Sequence, residues 1–194
     1  GAKGADADGR RMLHTNTNEI DLQTPYLFNF AGAPSETQYW VRQIYAGETW
    51  NRYSGTGEYG TPQYVRVYKP TPDGLLQTMD DDAGTMSAMY VAAPGDPTFQ
   101  IGSPFFEKMT LDLGNGRTFV INAENVSSEN YYIQSASLNG AALDRTWLDY
   151  GEIARGGEVT FTMGSEPSEW AADGVDAPSA SDDTKVSAYE YGLT

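Results

Sequence analysis

Three consecutive carboxylates, Asp80, Asp81 and Asp82, stand in the stretch TMDDDAGTMSAMY (78–90), ahead of a run of small and apolar residues. Adjacent like charges repel, and a helix needs only one of them as a cap. One reading is a helix N-terminus, where one Asp caps and the others favour the positive end of the dipole by about 0.3–1 kcal/mol each. The other reading follows from alternation. If the chain before the helix is extended, Asp80 and Asp82 project to one side and Asp81 to the other. Two converging carboxylates can activate a water as general base or hold a hard cation. The residue types leave both readings open.

A second oxygen-bearing pair, Asn18-Glu19, either caps the first helix or adds ligands to such a site. The single histidine, His14, has no Ser or Cys nucleophile motif near it, and there is no cysteine. Zinc sites of the Cys/His kind, thiol catalysis and disulfides are thereby excluded. Trp40, Trp50, Tyr53, Tyr59 and Tyr64 could stack on sugar faces, although Trp40 falls on a helical stripe and belongs with the core. Asn125-Val126-Ser127 is a glycosylation sequon, a pattern common by chance.

Helices must position the first half of the chain. In TPYLFNFAG, Thr24 can cap, Pro25 suits the first helical position, and Gly32 sits where a left-handed C-terminal residue belongs. In PSETQYWVRQIYAG, Ser35 and Gln38 have capping-box spacing, and Trp40, Val41, Ile44 and Tyr45 form an apolar stripe ended by Gly47. The two helices make an αα-hairpin. A third helix is predicted from about Asp82, with Met86, Met89, Tyr90 and Ala93 on one face.

After APGDP the period changes from helical to two. TFQIG, KMTLDL, RTFVINA, NYYIQSASL and EVTFTM read as strands, with turns at Gly114–Gly116 and at Asn139-Gly140. The expected organisation is a flexible N-terminus (1–15), a helical segment (16–95) with a long loop (48–78), and an antiparallel β domain (96–164). A disordered, acidic, Pro/Ser/Ala-rich linker or tail (165–194) follows. The fold class is therefore α+β: a helical segment, then an antiparallel sheet or sandwich with Phe119, Ile121, Ile133, Val159 and Phe161 inside. No internal repeat is present.

Charge narrows the partners. Across 194 residues, 12 Lys and Arg face 27 Asp and Glu, for a formal net charge of −15. Such a surface repels phosphate backbones and anionic lipid, so neither nucleic acid nor membrane is an expected partner. No apolar run approaches the ~18 residues of a membrane span. The N-terminal GAKGADADGRR lacks the apolar core of a signal peptide, and the chain is expected to be a piece of something longer. An acidic, cysteine-free composition rich in Gly, Tyr and Thr fits a secreted bacterial protein.

Several blocks together carry a family resemblance: NTNEIDLQTPYLFNFAGAPSETQYWVRQI, PDGL followed by DDDAGTMSAMY, FQIGSPFFEKMTLDLGNGRTFVINAENVSSENYYIQSASLNG, and GGEVTFTMG. In order, and from about Asn16 to Gly164, they resemble the C-terminal part of glycoside hydrolase family 92, the calcium-dependent, inverting exo-α-mannosidases of bacteria. The resemblance implies that the helices are the end of an (α/α)₆ barrel and that the strands follow it. It implies that Asp80 and Asp82 serve as general base and neighbour, and that Asn18-Glu19 helps to bind an active-site Ca²⁺. The family's general acid, a glutamate, lies upstream of these blocks. Ile20 stands where the family usually has Pro, Met89 where it usually has Trp, and the stretch after Met89 is shortened.

The implied function is the C-terminal part of an extracellular, cell-surface or periplasmic exo-α-mannosidase, inactive as an isolated fragment. Its partners would be a mannose-containing glycan and the upstream parts of the same polypeptide. The alternative is a non-catalytic carbohydrate-binding or purely structural β-sandwich module, whose mark would be a row of aromatics on one sheet face.

Overall fold

The computed structural model describes residues 24–47, 49–51, 63–65, 98–114 and 116–173. The first helical stretch forms where proline and glycine bracket it. A 3₁₀ turn at Thr24–Tyr26 leads into α1 (Leu27–Phe30). Pro25 fits the first turn because its missing N–H would be unbonded there anyway. Gly32 then adopts φ 71°, and Ala33 N–H donates to Phe28 O at 2.9 Å while Gly32 N–H donates to Asn29 O at 3.4 Å. This is the Schellman closure expected of glycine just past a helix. A Cβ on Gly32 would also lie 2.8 Å from the Ala172 carbonyl oxygen.

The second helix, α2, spans Pro34–Ala46 and ends at Gly47, whose N–H donates to the Arg42 and Gln43 carbonyls. It begins two residues earlier than a Ser35–Gln38 capping box requires, since Ser35 as the cap would make Glu36 the first helical residue. Gln38 is buried instead, and its Oε1 accepts the Ile133 N–H at 2.7 Å. Val41 and Ile44 are buried as the stripe predicts, but Trp40 is 41 % exposed rather than core. Within the expected loop 48–78, β1 (Thr49–Asn51) pairs antiparallel with β2 (Gln63–Val65). The N-terminus 1–15 and the helix expected from Asp82 lie outside the described residues.

The period-two segments all form strands: β3 (Thr98–Gln100), β4 (Lys108–Asp112), β5 (Thr118–Glu124), β6 (Tyr132–Leu138) and β9 (Gly157–Gly164). The strands β7 (Ala141–Ala142) and β8 (Trp147–Asp149), and the short helix α3 (Tyr150–Ala154), complete the described elements. One five-stranded sheet runs β4-β5-β9-β6-β7, and β3 pairs with β8. Asn139 (φ 50°) and Gly140 (φ 81°) both occupy the left-handed region that a two-residue hairpin turn demands, here joining β6 to β7. The class is α+β. The sheet is mixed, because β9 inserts beside β5 in parallel while pairing antiparallel with β6.

Alternation builds the core. Phe119 and Ala123 of β5, and Val159, Phe161 and Met163 of β9, are buried on one face, with Ile121 packed against them. On β6 both Ile133 and Ala136 are buried, three residues apart, which a regular strand would place on opposite faces. A register shift between Ile133 and Ser135 absorbs the extra residue and returns Ala136 to the inside. Ile101, Leu143, Leu148 and Trp170 close the cluster. The core thus extends past Gly164 into the expected linker. Trp170 donates its Nε1–H to Leu143 O at 2.7 Å and meets Phe161 edge-on, and Ser168 Oγ donates to Ile133 O.

The chain divides into two compact units that do not follow sequence order: Phe28–Tyr39 with Tyr90–Thr194, and Gly1–Leu27 with Trp40–Met89. The reason for the first grouping lies in hydrogen bonds. Asn29 Nδ2 donates to Ile101 O at 3.1 Å and Gln38 accepts from Ile133, so α1 and the start of α2 belong with the strands.

Candidate active site

The four candidate site residues, Asn18, Glu19, Asp80 and Asp82, lie outside the described residues, as do Asp81 and His14. The described chain shows what flanks them. In sequence, Thr24–Tyr26 and α1 follow the Asn18-Glu19 pair, and β3 follows the stretch that holds Asp80–Asp82. Among the described residues no group of three or more His, Asp or Glu side chains could hold a metal ion.

Several of the described carboxylates do structural work. Asp149 caps α3 by accepting the Gly151 N–H at 2.7 Å, and Glu152 Oε2 accepts the Asp149 N–H at 2.9 Å, a reciprocal capping box. The other oxygen of Glu152 meets the Arg145 guanidinium at 2.5 Å, while that guanidinium stands 4.3 Å from the Trp147 ring centre. Asp112 Oδ1 accepts the Gly114 N–H in the β4–β5 turn, and Glu158 accepts from Asn122. These acids brace turns and strands. None of these contacts sets up a pair of carboxylates facing a shared water.

Tyr131 and Tyr132 are adjacent, with ring centres 4.4 Å apart and planes tilted by 39°, and Tyr132 is buried. Burial first, then the hydroxyl contact with Tyr131 and the charges of Tyr131, Glu36 and Tyr39, hold the Tyr132 phenol well above its ordinary value. One face of Trp147 is covered by Arg145. Phe105 and Phe106, exposed in the GSPFFE segment before β4, are apolar surface that period-two reasoning passed over, because they fall outside any alternating run. Asn125 of the sequon is exposed with φ 64°, and Ser127 Oγ accepts the Glu129 and Asn130 N–H groups, so the motif forms a tight turn after β5.

Comparison with known proteins supplies what the described residues do not. The Glycosyl hydrolase family 92 catalytic domain matches residues 2–61 and 45–165. The gh92 family glycosyl hydrolase ccman5 superimposes with a TM-score of 0.76 at 45% identity, over 87% of this chain and 24% of its own. The family GH92 α-mannosidase BT3965 from Bacteroides thetaiotaomicron, solved in complex with mannoimidazole, gives a TM-score of 0.65 at 30% identity, over 81% of this chain and 19% of its own. An uncharacterized secreted glycosidase from Arthroderma benhamiae is 34% identical over 109 residues, covering 51% of this chain and 14% of that protein. The chain spans about a quarter or less of the length of these relatives. With the family's catalytic-domain pattern covering most of its length and a matching fold in solved members, the chain belongs to glycoside hydrolase family 92.

Proposed function

We propose that this chain is the C-terminal part of a secreted, inverting exo-α-mannosidase that removes non-reducing terminal mannose from glycans. The observation that supports it best is the family match over residues 2–165, together with relatives described as an α-mannosidase and as an inverting mannosidase from Bacteroides thetaiotaomicron. Secretion is supported by the description of the fungal relative. Among the described residues, no helix is long and apolar enough to cross a membrane.

In this reading Asp80 and Asp82 face the anomeric carbon, one taking the proton from the attacking water and the other holding that water in line. Asp81 faces away. Inversion requires roughly 6.5–9.5 Å between the base and the acid so that water fits between base and sugar. The acid, which protonates the departing oxygen, comes from a part of the polypeptide outside this sequence. The chain alone is therefore inert, since an acid or base typically contributes ~10²–10⁴-fold.

Asn18 and Glu19 offer amide and carboxylate oxygens near the start of the helical segment. That donor set fits Ca²⁺, which takes oxygen ligands, and does not suit a soft metal. When bound, calcium would hold vicinal sugar hydroxyls and favour a distorted ring.

Following by NMR the anomer released from an α-mannoside by the intact enzyme, with and without chelator, tests the reading. Inversion and loss of turnover on chelation are expected. A retained anomer, or full turnover after chelation, overturns it.

A further inference from the structure

Among the described residues, three buried polar atoms in the β-containing unit have no hydrogen-bond partner: Asn29 Oδ1, Thr98 Oγ1 and Gln100 Nε2. Asn29 and Thr98 are 1 % and 2 % exposed. Unpaired polar groups at that depth are rare, because each forfeits its bond to water. Turning the amides over does not remove them. Asn29 Nδ2 donates to Gln100 Oε1 at 3.2 Å and to Ile101 O at 3.1 Å. The Ile101 carbonyl can only accept, so it fixes the nitrogen of Asn29 on that side. The nitrogen must then face the Gln100 oxygen. Both orphans, an acceptor on Asn29 and a donor on Gln100, are consequences of a main-chain carbonyl rather than of an arbitrary assignment.

The two orphaned amide atoms belong to side chains that are hydrogen-bonded to each other, so both border one buried region. Oxygen and nitrogen of one amide lie roughly 2.2 Å apart by covalent geometry. With the 3.2 Å bond between the two side chains, Asn29 Oδ1 and Gln100 Nε2 stand within about 8 Å of each other. Thr98 and Gln100 alternate on β3 and so share one face of the strand. The set therefore offers one acceptor, one donor and one hydroxyl able to do either, all shielded from solvent.

We propose that Asn29, Thr98 and Gln100 form a binding site for an ordered internal water, which donates to Asn29 Oδ1, accepts from Gln100 Nε2 and bonds the Thr98 hydroxyl. Three polar partners is the number a buried water typically has. The water completes a joint between α1 and β3, extending the direct Asn29–Ile101 bond. The inference is independent of the proposed catalytic activity.

Two measurements on the intact protein test it. In a crystal structure at about 2 Å or better, an oxygen within hydrogen-bond reach of at least two of the three atoms is expected. A protein side chain in that place, or rearranged amides bonding each other, overturns the proposal. The second measurement uses Thr98→Val, which keeps the shape of the side chain and removes the hydroxyl. If the hydroxyl bonds a trapped water, the folding equilibrium constant falls about 5-fold or more in denaturant titrations. An unchanged or raised constant means the hydroxyl had no partner, and the water site is rejected.

Discussion

The side-chain oxygen of Gln38 accepts the main-chain N–H of Ile133 at 2.7 Å, joining residues 95 apart in sequence. Both are almost fully buried. Gln38→Leu leaves that N–H with nothing to bond, and the stability loss is expected to be about 1–3 kcal/mol. Urea unfolding midpoints of the variant and the parent check this. A change below about 0.5 kcal/mol would mean the Ile133 N–H finds another acceptor.

Asp80, Asp81 and Asp82 separate cap from catalyst when each is changed to Asn. Asn caps as well as Asp, so a capping role predicts losses within about 1 kcal/mol and near-normal turnover. If Asp80 and Asp82 form the base and its neighbour, turnover of the intact enzyme falls roughly 10²-fold or more at these two positions. Asp81→Asn stays near the parent. Melting temperatures and turnover numbers for the three variants decide it, and small equal effects would return all three to capping.

Tyr132 links stability to alkaline pH. Its ordinary value is about 10, and in the fold it is raised, mainly by burial. A raised value means the folded state keeps the proton that the unfolded state gives up. The contribution is fully present below pH ~10 and is lost as pH rises above it. Unfolding free energies measured across pH 8–11 should decline at the upper end, and Tyr132→Phe should flatten the decline. An equal slope in both proteins would assign the effect to other groups.

Trp170 tests where the domain ends. Trp170→Phe keeps a ring against Phe161 but strips the donor from the Leu143 carbonyl, a loss of about 1–2 kcal/mol. Trp170→Ala should cost about 3–5 kcal/mol. Truncation after Gly164 should destabilise at least as much as Trp170→Ala. A truncated chain as stable as the parent would show that residues 165–173 add nothing.

The strands were legible because alternation is a local property: Phe119, Ile133, Val159 and Phe161 each fall in a run whose period names the buried face. Glycine signals were equally local, and Gly32 and Asn139-Gly140 sit where their left-handed φ is required. Partner choice was not legible. Nothing in EVTFTM says that this strand lies between β5 and β6, parallel to one of them, because pairing depends on segments far away. Gln38 and Trp170 were misjudged for the same reason. Capping-box spacing and an acidic, Pro-rich context are sequence neighbours, whereas Ile133 and Leu143 are neighbours only in space. The candidate site was legible as a set of oxygen donors and a family pattern, and its geometry lies outside the described residues.

The placement of β9 has a consequence for synthesis. This strand is central, hydrogen-bonded on both sides, yet it is the last of the sheet to leave the ribosome. Until Gly157–Gly164 emerges, β5 and β6 each present an open inner edge, with Phe119 and Ile133 uncovered. Open edges and bare aromatics are what nascent chains aggregate through. The sheet therefore cannot close before its final strand is available to pair with both neighbours. A polypeptide released within β9 would leave the inner edges of β5 and β6 without the partner that covers them in the folded sheet.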